Sequence, residues 1–334
     1  MAMDAASAPP PARRSNPLRR PQVATLLMLI VVLAGFTIAA PHFASPRNVS
    51  NMLAFMPELG IIALGMCLLL TAGEFDLSVG AVFALGACVA MILVQSTGWA
   101  IGPSLAAGLL TCMLVGLVNG LIVTKMGISS FLVTLSMLLV VRGSSLYLTQ
   151  GFPLQSYREE TVFRTLLAGD FNLGPFRLYA SLFWFAGLAL LAGYVLTLSR
   201  LGNWISAIGS NRQAAIARGV PADAVKIGLF VLTSTLAGLA GMISAFRINN
   251  ASPVAGTEYE LEVIAMVVVG GTALTGGYGT IFGTVLGVIL LRAIRNGIIM
   301  IGVPGLAYST FVGGIILLML MLHAGLRRAG EPGR

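Results

Sequence analysis

Charged residues are scarce. The 334 residues include 20 Lys and Arg, 12 Asp and Glu and 2 His, so only 10% of the chain is charged. A soluble domain carries charge on about a quarter of its positions. So little polar cover excludes a water-soluble enzyme or binding module. Cysteine is rare too: Cys67, Cys88 and Cys112 sit in apolar stretches with no C-x-x-C spacing. That excludes a disulfide framework and reads as three buried thiols behaving as small hydrophobes. Lysine occurs only at Lys125, in Thr-Lys-Met, and at Lys226, in Val-Lys-Ile. Neither lies in the Gly-Lys-Ser/Thr of a P-loop, so this chain does not bind ATP by that motif. His42 and His323 lie near opposite ends, and neither H-E-x-x-H nor G-x-S-x-G occurs. No catalytic residue and no metal site are expected. The net charge of +8 comes without a dense basic patch interleaved with aromatics, so nucleic acid is not an expected partner.

What is abundant is apolar. Hydrophobic residues make up 57% of the chain, mean hydropathy is +0.92, and there are 40 glycines. Lipid is the solvent that tolerates this composition, and small residues let membrane helices approach closely. A span needs about 20 apolar residues. The apolar runs fall at Val23–Ala40 and at 51–71, 77–95, 103–123, 131–149, 179–199, 224–246, 261–275, 279–300 and 305–323. The expected fold is an all-α membrane protein of about ten transmembrane helices. Residues 1–21 are expected to be a disordered cytoplasmic N-terminus, 22–325 the membrane domain and 326–334 a cytoplasmic tail. The first run is too long for a typical signal peptide and is expected to be a retained helix.

Basic residues set orientation. With ten crossings and both termini cytoplasmic, the inner side holds Arg13, Arg14, Arg19, Arg20, Lys125, Arg200, Arg212, Arg218, Lys226, Arg327, Arg328 and Arg334. The outer side holds Arg47, Arg158, Arg164, Arg177 and Arg247, which supports that arrangement. Two loops are long. Residues 150–178, with Tyr157, Glu159, Glu160 and Asp170, lie outside; residues 200–223 lie inside, between the sixth and seventh crossings.

Polar groups within or beside spans are candidates for a transport path or gate, because leaving them in hydrocarbon is costly. Glu74, Asp76 and Ser78 stand in Thr71-A-G-E-F-D-L-S-V-Gly80. Asp76 fits either a cap at the start of the next helix or a place in the path. Glu58 follows Pro57 and fits either an outer mouth or the interface. Arg142 is deep in its span, with Glu74, Asp76 and Glu262 as possible partners. Arg292 and Arg295 share a helix face. Val267–Gly283 echoes Met66–Gly80 in pattern: an apolar helix, a glycine break, then small residues. Such paired breaks point to the binding or gating region of a transporter, which adds Gly276 and Gly277.

The inner loop reads as a docking surface. Ser210 or Asn211 can cap a short helix over Arg212–Arg218, Gly219 suits its left-handed end, and Pro221 stops it. About two turns of helix would be marginal alone, so this helix is expected to pack against something.

Five segments in order resemble the ribose/xylose-type permeases of ABC sugar importers. They are Asn48-V-S-N-M-L, the stretch Gly60–Gly80 ending in E-F-D-L-S-V-G, Phe131–Gly143, Gly209–Val220 and Gly270–Gly283. The resemblance covers most of residues 48–323. It implies a bacterial inner-membrane, multi-pass subunit that pairs with a second permease, identical or not, within membrane lipid. It also implies two cytoplasmic ABC ATPase subunits carrying ATP and magnesium, and a periplasmic sugar-binding protein. Gly209, Asn211, Arg212, Ala214, Ala215, Arg218 and Gly219 would form the ATPase-coupling loop. The cargo implied is a pentose, hexose or related polyol. Two positions depart: the family commonly has Gly at Glu74 and often Asn at Arg295. Related permeases for branched-chain amino acids carry G-E in a similar segment, so another small polar solute, such as an amino acid or nucleoside, stays open. The acidic set would also suit an ion-gradient secondary transporter.

Overall fold

The computed structural model describes residues 21–155 and 161–304, with residues 310, 311, 313, 314, 317 and 321. The expected disordered segment (apart from Pro21), the cytoplasmic tail, the run 305–323 (apart from those six residues) and Tyr157, Glu159 and Glu160 lie outside the described residues.

Twelve helices are described: α1 (Pro21–Ala39), α2 (Pro46–Thr71), α3 (Val79–Thr97), α4 (Ile101–Met126), α5 (Ser130–Leu148), α6 (Val162–Ala168), α7 (Ala180–Leu198), α8 (Arg200–Ser210), α9 (Arg212–Ala217), α10 (Ala222–Ile248), α11 (Tyr259–Val269) and α12 (Ile281–Met300). Eight of them, α1 to α5, α7, α10 and α12, are long and apolar enough to cross a membrane. Their ends are set by ordinary chemistry. The Ser45 hydroxyl accepts from the Asn48 amide at the start of α2, and left-handed Gly98 and Gly127 close α3 and α4.

The segment expected as a span at 261–275 is different. Its helix is the eleven-residue α11, about 16 Å long, roughly half of a 30 Å hydrocarbon core. Residues 270–280 are not helical. Gly271, Gly276 and Gly277 take positive φ of 96°, 80° and 82°, a conformation that ends helices and that glycine adopts without strain. The chain preceding α11, Asn249–Glu258, is mostly irregular and contributes only the short strand β4 (Asn250–Ala251). This apolar run is therefore part helix and part loop.

The long helices form two layers. Most of α2, α3, α10 and α12 is buried, whereas α1, α4, α5 and α7 bury a third or less. In a lipid-facing helix an exposed apolar surface is expected, and Leu139, Leu190, Leu191 and Leu198 are more than half exposed. At the centre, α3, α4 and α10 cross where Gly86, Gly108 and Gly238 meet around Cys112 and Met242. All three thiols are buried and free.

The long loop after α5 is folded. Strand β1 (Leu154–Gln155) pairs antiparallel with β4, and β2 (Asp170–Leu173) pairs with β3 (Phe176–Tyr179) as a hairpin. The Arg177 amide donates to Ser50 Oγ at 2.9 Å, and Trp184 Nε1 donates to Leu166 O at 2.9 Å. These bonds hold the hairpin to α2, and α6 to α7. The hairpin marks one face of the protein. The segment α8–α9 marks the opposite face.

Candidate functional site

The break between α2 and α3 carries the acidic candidates. After Thr71 the chain turns at Gly73 (φ 82°) and runs irregularly through Glu74–Asp76 to α3. Asp76 is fully buried. Its Oδ1 accepts from the Ser78 amide at 2.8 Å and the Ser78 hydroxyl at 2.6 Å; its Oδ2 accepts from Ser234 Oγ at 3.3 Å and Asn119 Nδ2 at 3.5 Å. Asp76 thus does occupy the start of a helix, where the macrodipole favours negative charge. It lies inside the helix bundle rather than at its surface. Ser234 lies twelve residues after Ala222, about 18 Å along α10. No lysine or arginine among the described residues pairs with Asp76, so four neutral donors and the helix start compensate it.

Glu74 is held at the α9 face. Lys226 Nζ of α10 donates to its Oε1 at 2.5 Å, and both side chains are largely buried. Glu58 lies toward the hairpin end of the bundle. It is 2% exposed, pairs with Arg247, and accepts from Arg247 Nε at 3.0 Å. The Arg247 guanidinium also lies 3.8 Å over the Phe55 ring. Two ion pairs therefore tie α10 to its neighbours, one to α2 through Glu58 and one to the break after α2 through Glu74, on either side of the close approach of Gly65 to Thr233.

Arg142 does not hydrogen-bond Glu74, Asp76 or Glu262. Its Nη1 donates to Pro253 O at 2.6 Å and Ala255 O at 2.8 Å, and its Nη2 donates to Gly80 O at 3.2 Å. It clamps the loop before α11 onto the start of α3. A Cβ on Gly80 would collide with Gly256 O and the Glu260 carboxylate, so only glycine allows this approach. The starts of α3 and α11 thus meet inside the protein. Discontinuous helices whose beginnings face one another at depth suit a site for a polar solute in a transporter.

Gly276 and Gly277 lie elsewhere, at the α9 face. The Gly277 amide donates to Thr71 O at 2.9 Å. Gly209, in the last turn of α8, is so close that a Cβ there would strike Thr71 O and the Gly277 nitrogen. The two echoing glycine breaks are therefore packed against each other, with α8 wedged at the same point. Beyond this junction stands α9. Asn211 Oδ1 accepts from the Ala214 amide at 3.0 Å as its cap, and Gly219 takes φ 83° just past its end. Ala215 faces inward and is buried; Arg212, Ala214 and Arg218 are exposed. Arg212 Nη2 and Lys125 Nζ both pair with Asp223, at 2.7 and 2.9 Å, tying α9 and α4 to the first turn of α10.

Sequence reasoning passed over Asn119, Ser234, Lys226, Arg247 and Glu260. Each is a single polar residue on a helix face, and only the packing shows what it meets. Lys226 carried the one usable signal, a lone lysine near the start of an apolar run.

The chain matches the family described as branched-chain amino acid transport system / permease component over residues 48–321. It is 36% identical over 299 residues to a ribose import permease protein of Escherichia coli (strain K12), covering 89% of this chain and 92% of that protein. An L-arabinose ABC transporter permease protein of Azospirillum brasilense is 32% identical over 296 residues, 89% of this chain and 85% of its own. A galactose/methyl galactoside import permease protein of Salmonella typhimurium (strain LT2) is 34% identical over 313 residues, 89% and 92%. No solved structure matches.

Proposed function

Since the chain belongs to the branched-chain amino acid transport system / permease component family, we propose that it is the pathway and lever of an ATP-driven importer whose cargo is a small sugar. It is an inner-membrane permease subunit. The sugar is inferred from the relatives, whose names specify ribose, arabinose and galactose. The chain works with a second permease subunit, two cytoplasmic ATPase chains that hold ATP and magnesium, and a sugar-binding protein on the hairpin face. The α9 face is cytoplasmic, and α9 is the coupling helix that the ATPase grips.

The observation that carries this reading is the backbone junction of Thr71, Gly209 and Gly277. Long side chains between two elements can absorb a displacement. Touching backbones cannot, because packed interiors are close to incompressible. A shift of α8–α9 must therefore reach the end of α2 and the loop before α12. Those are the ends of the two interrupted crossings, where irregular backbone can take up a change of angle. The cargo path follows the buried polar groups along α2, α3, α10 and α11.

The test uses proteoliposomes holding the complete importer. Ala214→Arg alters the exposed side of α9 and leaves the buried Ala215 in place. ATP hydrolysis should persist while sugar uptake is lost. Undiminished ATP-driven uptake by this variant would refute the coupling role, and accumulation by the chain alone under an ion gradient would refute the importer reading.

A further inference from the structure

The interior holds a guanidinium that the account above leaves unused. Arg292 lies eleven residues after Ile281, about 17 Å along α12, and is 7% exposed. Three residues on, Arg295 faces Glu262 of α11 at 3.5 Å. Arg247 of α10 is taken by Glu58 of α2. Glu58, Glu262, Arg292 and Arg295 are all within electrostatic range of Tyr259 at the start of α11. These groups form one cluster between α2, α10, α11 and α12. With Glu58 set against Arg247 and Glu262 against Arg295, Arg292 is left without a carboxylate of its own.

Arg292 is the unbalanced member. Its Nε and Nη2 are buried with no hydrogen-bond partner, and no carboxylate among the described residues lies within ion-pairing distance of it. An intramembrane charge of this kind is expensive and marks a functional position. The two vacant donors lie on one edge of the guanidinium fork, the edge that takes both oxygens of a carboxylate. A neutral hydroxyl would satisfy a donor and leave the charge uncompensated. A lipid headgroup is a poor fit, because Arg292 lies near the middle of α12, away from either membrane face.

We infer that Arg292 is the anion-recognising residue of the translocation path, and that the cargo is an acidic sugar, an aldonate or uronate, whose carboxylate it binds through Nε and Nη2. This rests on the reading of the chain as a sugar importer's permease. The cargo's carboxylate would bring the cluster to neutrality as it passes α11 and α12. Its hydroxyls would be left to neighbouring polar groups.

Uptake by cells carrying the complete importer tests this, with D-gluconate, D-galacturonate and D-glucuronate set against D-glucose, D-galactose and D-ribose. The wild type should take up at least one acid about tenfold faster than the neutral sugars, a modest discrimination for one desolvated charge contact. Arg292→Gln should abolish that preference, and Arg292→Lys, which keeps the charge without the fork, should retain part of it. Thermal melting of the purified full chain supplies a second readout. The preferred acid should raise the wild-type Tm and leave that of Arg292→Gln unchanged. Removing an unpaired buried charge should itself leave the Tm equal or higher. Uptake of neutral sugars with no preference for acids, or a preference that survives in Arg292→Gln, would overturn the inference and leave the sugar-permease reading intact. Uptake of none of the six would overturn the inference, while the sugar-permease reading is judged separately by ATP-driven uptake of other pentoses such as L-arabinose.

Discussion

Replacing Arg142 by methionine keeps the side chain's bulk and removes its donors. Three carbonyls lose their partner: Pro253 O at 2.6 Å, Ala255 O at 2.8 Å and Gly80 O at 3.2 Å. A hydrogen bond to a charged group contributes a net of about 1.5–3 kcal/mol. Three full contributions overstate the loss, because Arg142 is only partly buried and water can reach some of the freed carbonyls. Relief of the guanidinium's own desolvation offsets a further part. A loss of about 2–4 kcal/mol remains, concentrated where the loop before α11 meets α3. The amides of Ala255 and Tyr259, bonded to Ser252 O and Gly256 O, report on that loop. Hydrogen exchange there should quicken by a factor on the order of 30 to 1,000, the equivalent of that energy, while the interior amides of α2 and α10 change little. Arg142→Lys should fall between, since an ammonium is a point charge and cannot fork across three carbonyls. If the methionine variant exchanged at the wild-type rate over 249–260, or lysine matched arginine, the clamp would be wrong.

Gly209→Ala should give a protein that still reaches the membrane. Its added methyl would part Thr71 from Gly277, costing about 1–3 kcal/mol as overpacking does, with coupled uptake falling more than ATP hydrolysis in the reconstituted importer. Glu74→Gln strands Lys226 in a largely buried position and should cost about 2–4 kcal/mol in melting experiments, slightly below the loss for a fully buried pair. The double variant with Lys226→Met should recover most of it. Asp170 concerns pH. The hydrogen bond from Arg177 holds its carboxyl below the usual carboxylate range. Its contribution to the β2–β3 hairpin is therefore complete above about pH 4, the ordinary carboxylate value, and is lost as pH falls through the depressed one. Hairpin exchange should quicken below that point in the wild type, and Asp170→Asn should show no such step.

Much of the architecture was legible because lipid imposes a simple rule on sequence. A helix that must satisfy its own backbone in hydrocarbon shows up as a long apolar run, and all eight long helices lie under runs marked from the sequence. The short helix α9 was legible for another reason: Asn211 at its start and Gly219 past its end have local chemistry that does not depend on packing. The helix α8 before it was missed, because its residues read simply as polar loop. The run 261–275 was misjudged because hydropathy is blind to positive φ, and the glycines after Val269 end the helix there. The partners of Arg142 were out of reach in principle, since every backbone offers carbonyls and no side-chain pattern distinguishes three of them. Asp76 was recognised as chemically important, yet its depth became visible only when Asn119 and Ser234 converged on it from two other helices.

The central claim is that α9 faces the cytoplasm and is gripped by a separate ATPase. The three native cysteines are buried, so Ala214→Cys places a single accessible thiol on the exposed side of α9. In intact cells this thiol should resist a membrane-impermeant maleimide. In the purified importer a short bifunctional reagent should join it to the ATPase chain. Labelling from outside the intact cell, or a thiol that cross-links to nothing in an actively transporting complex, would contradict the account.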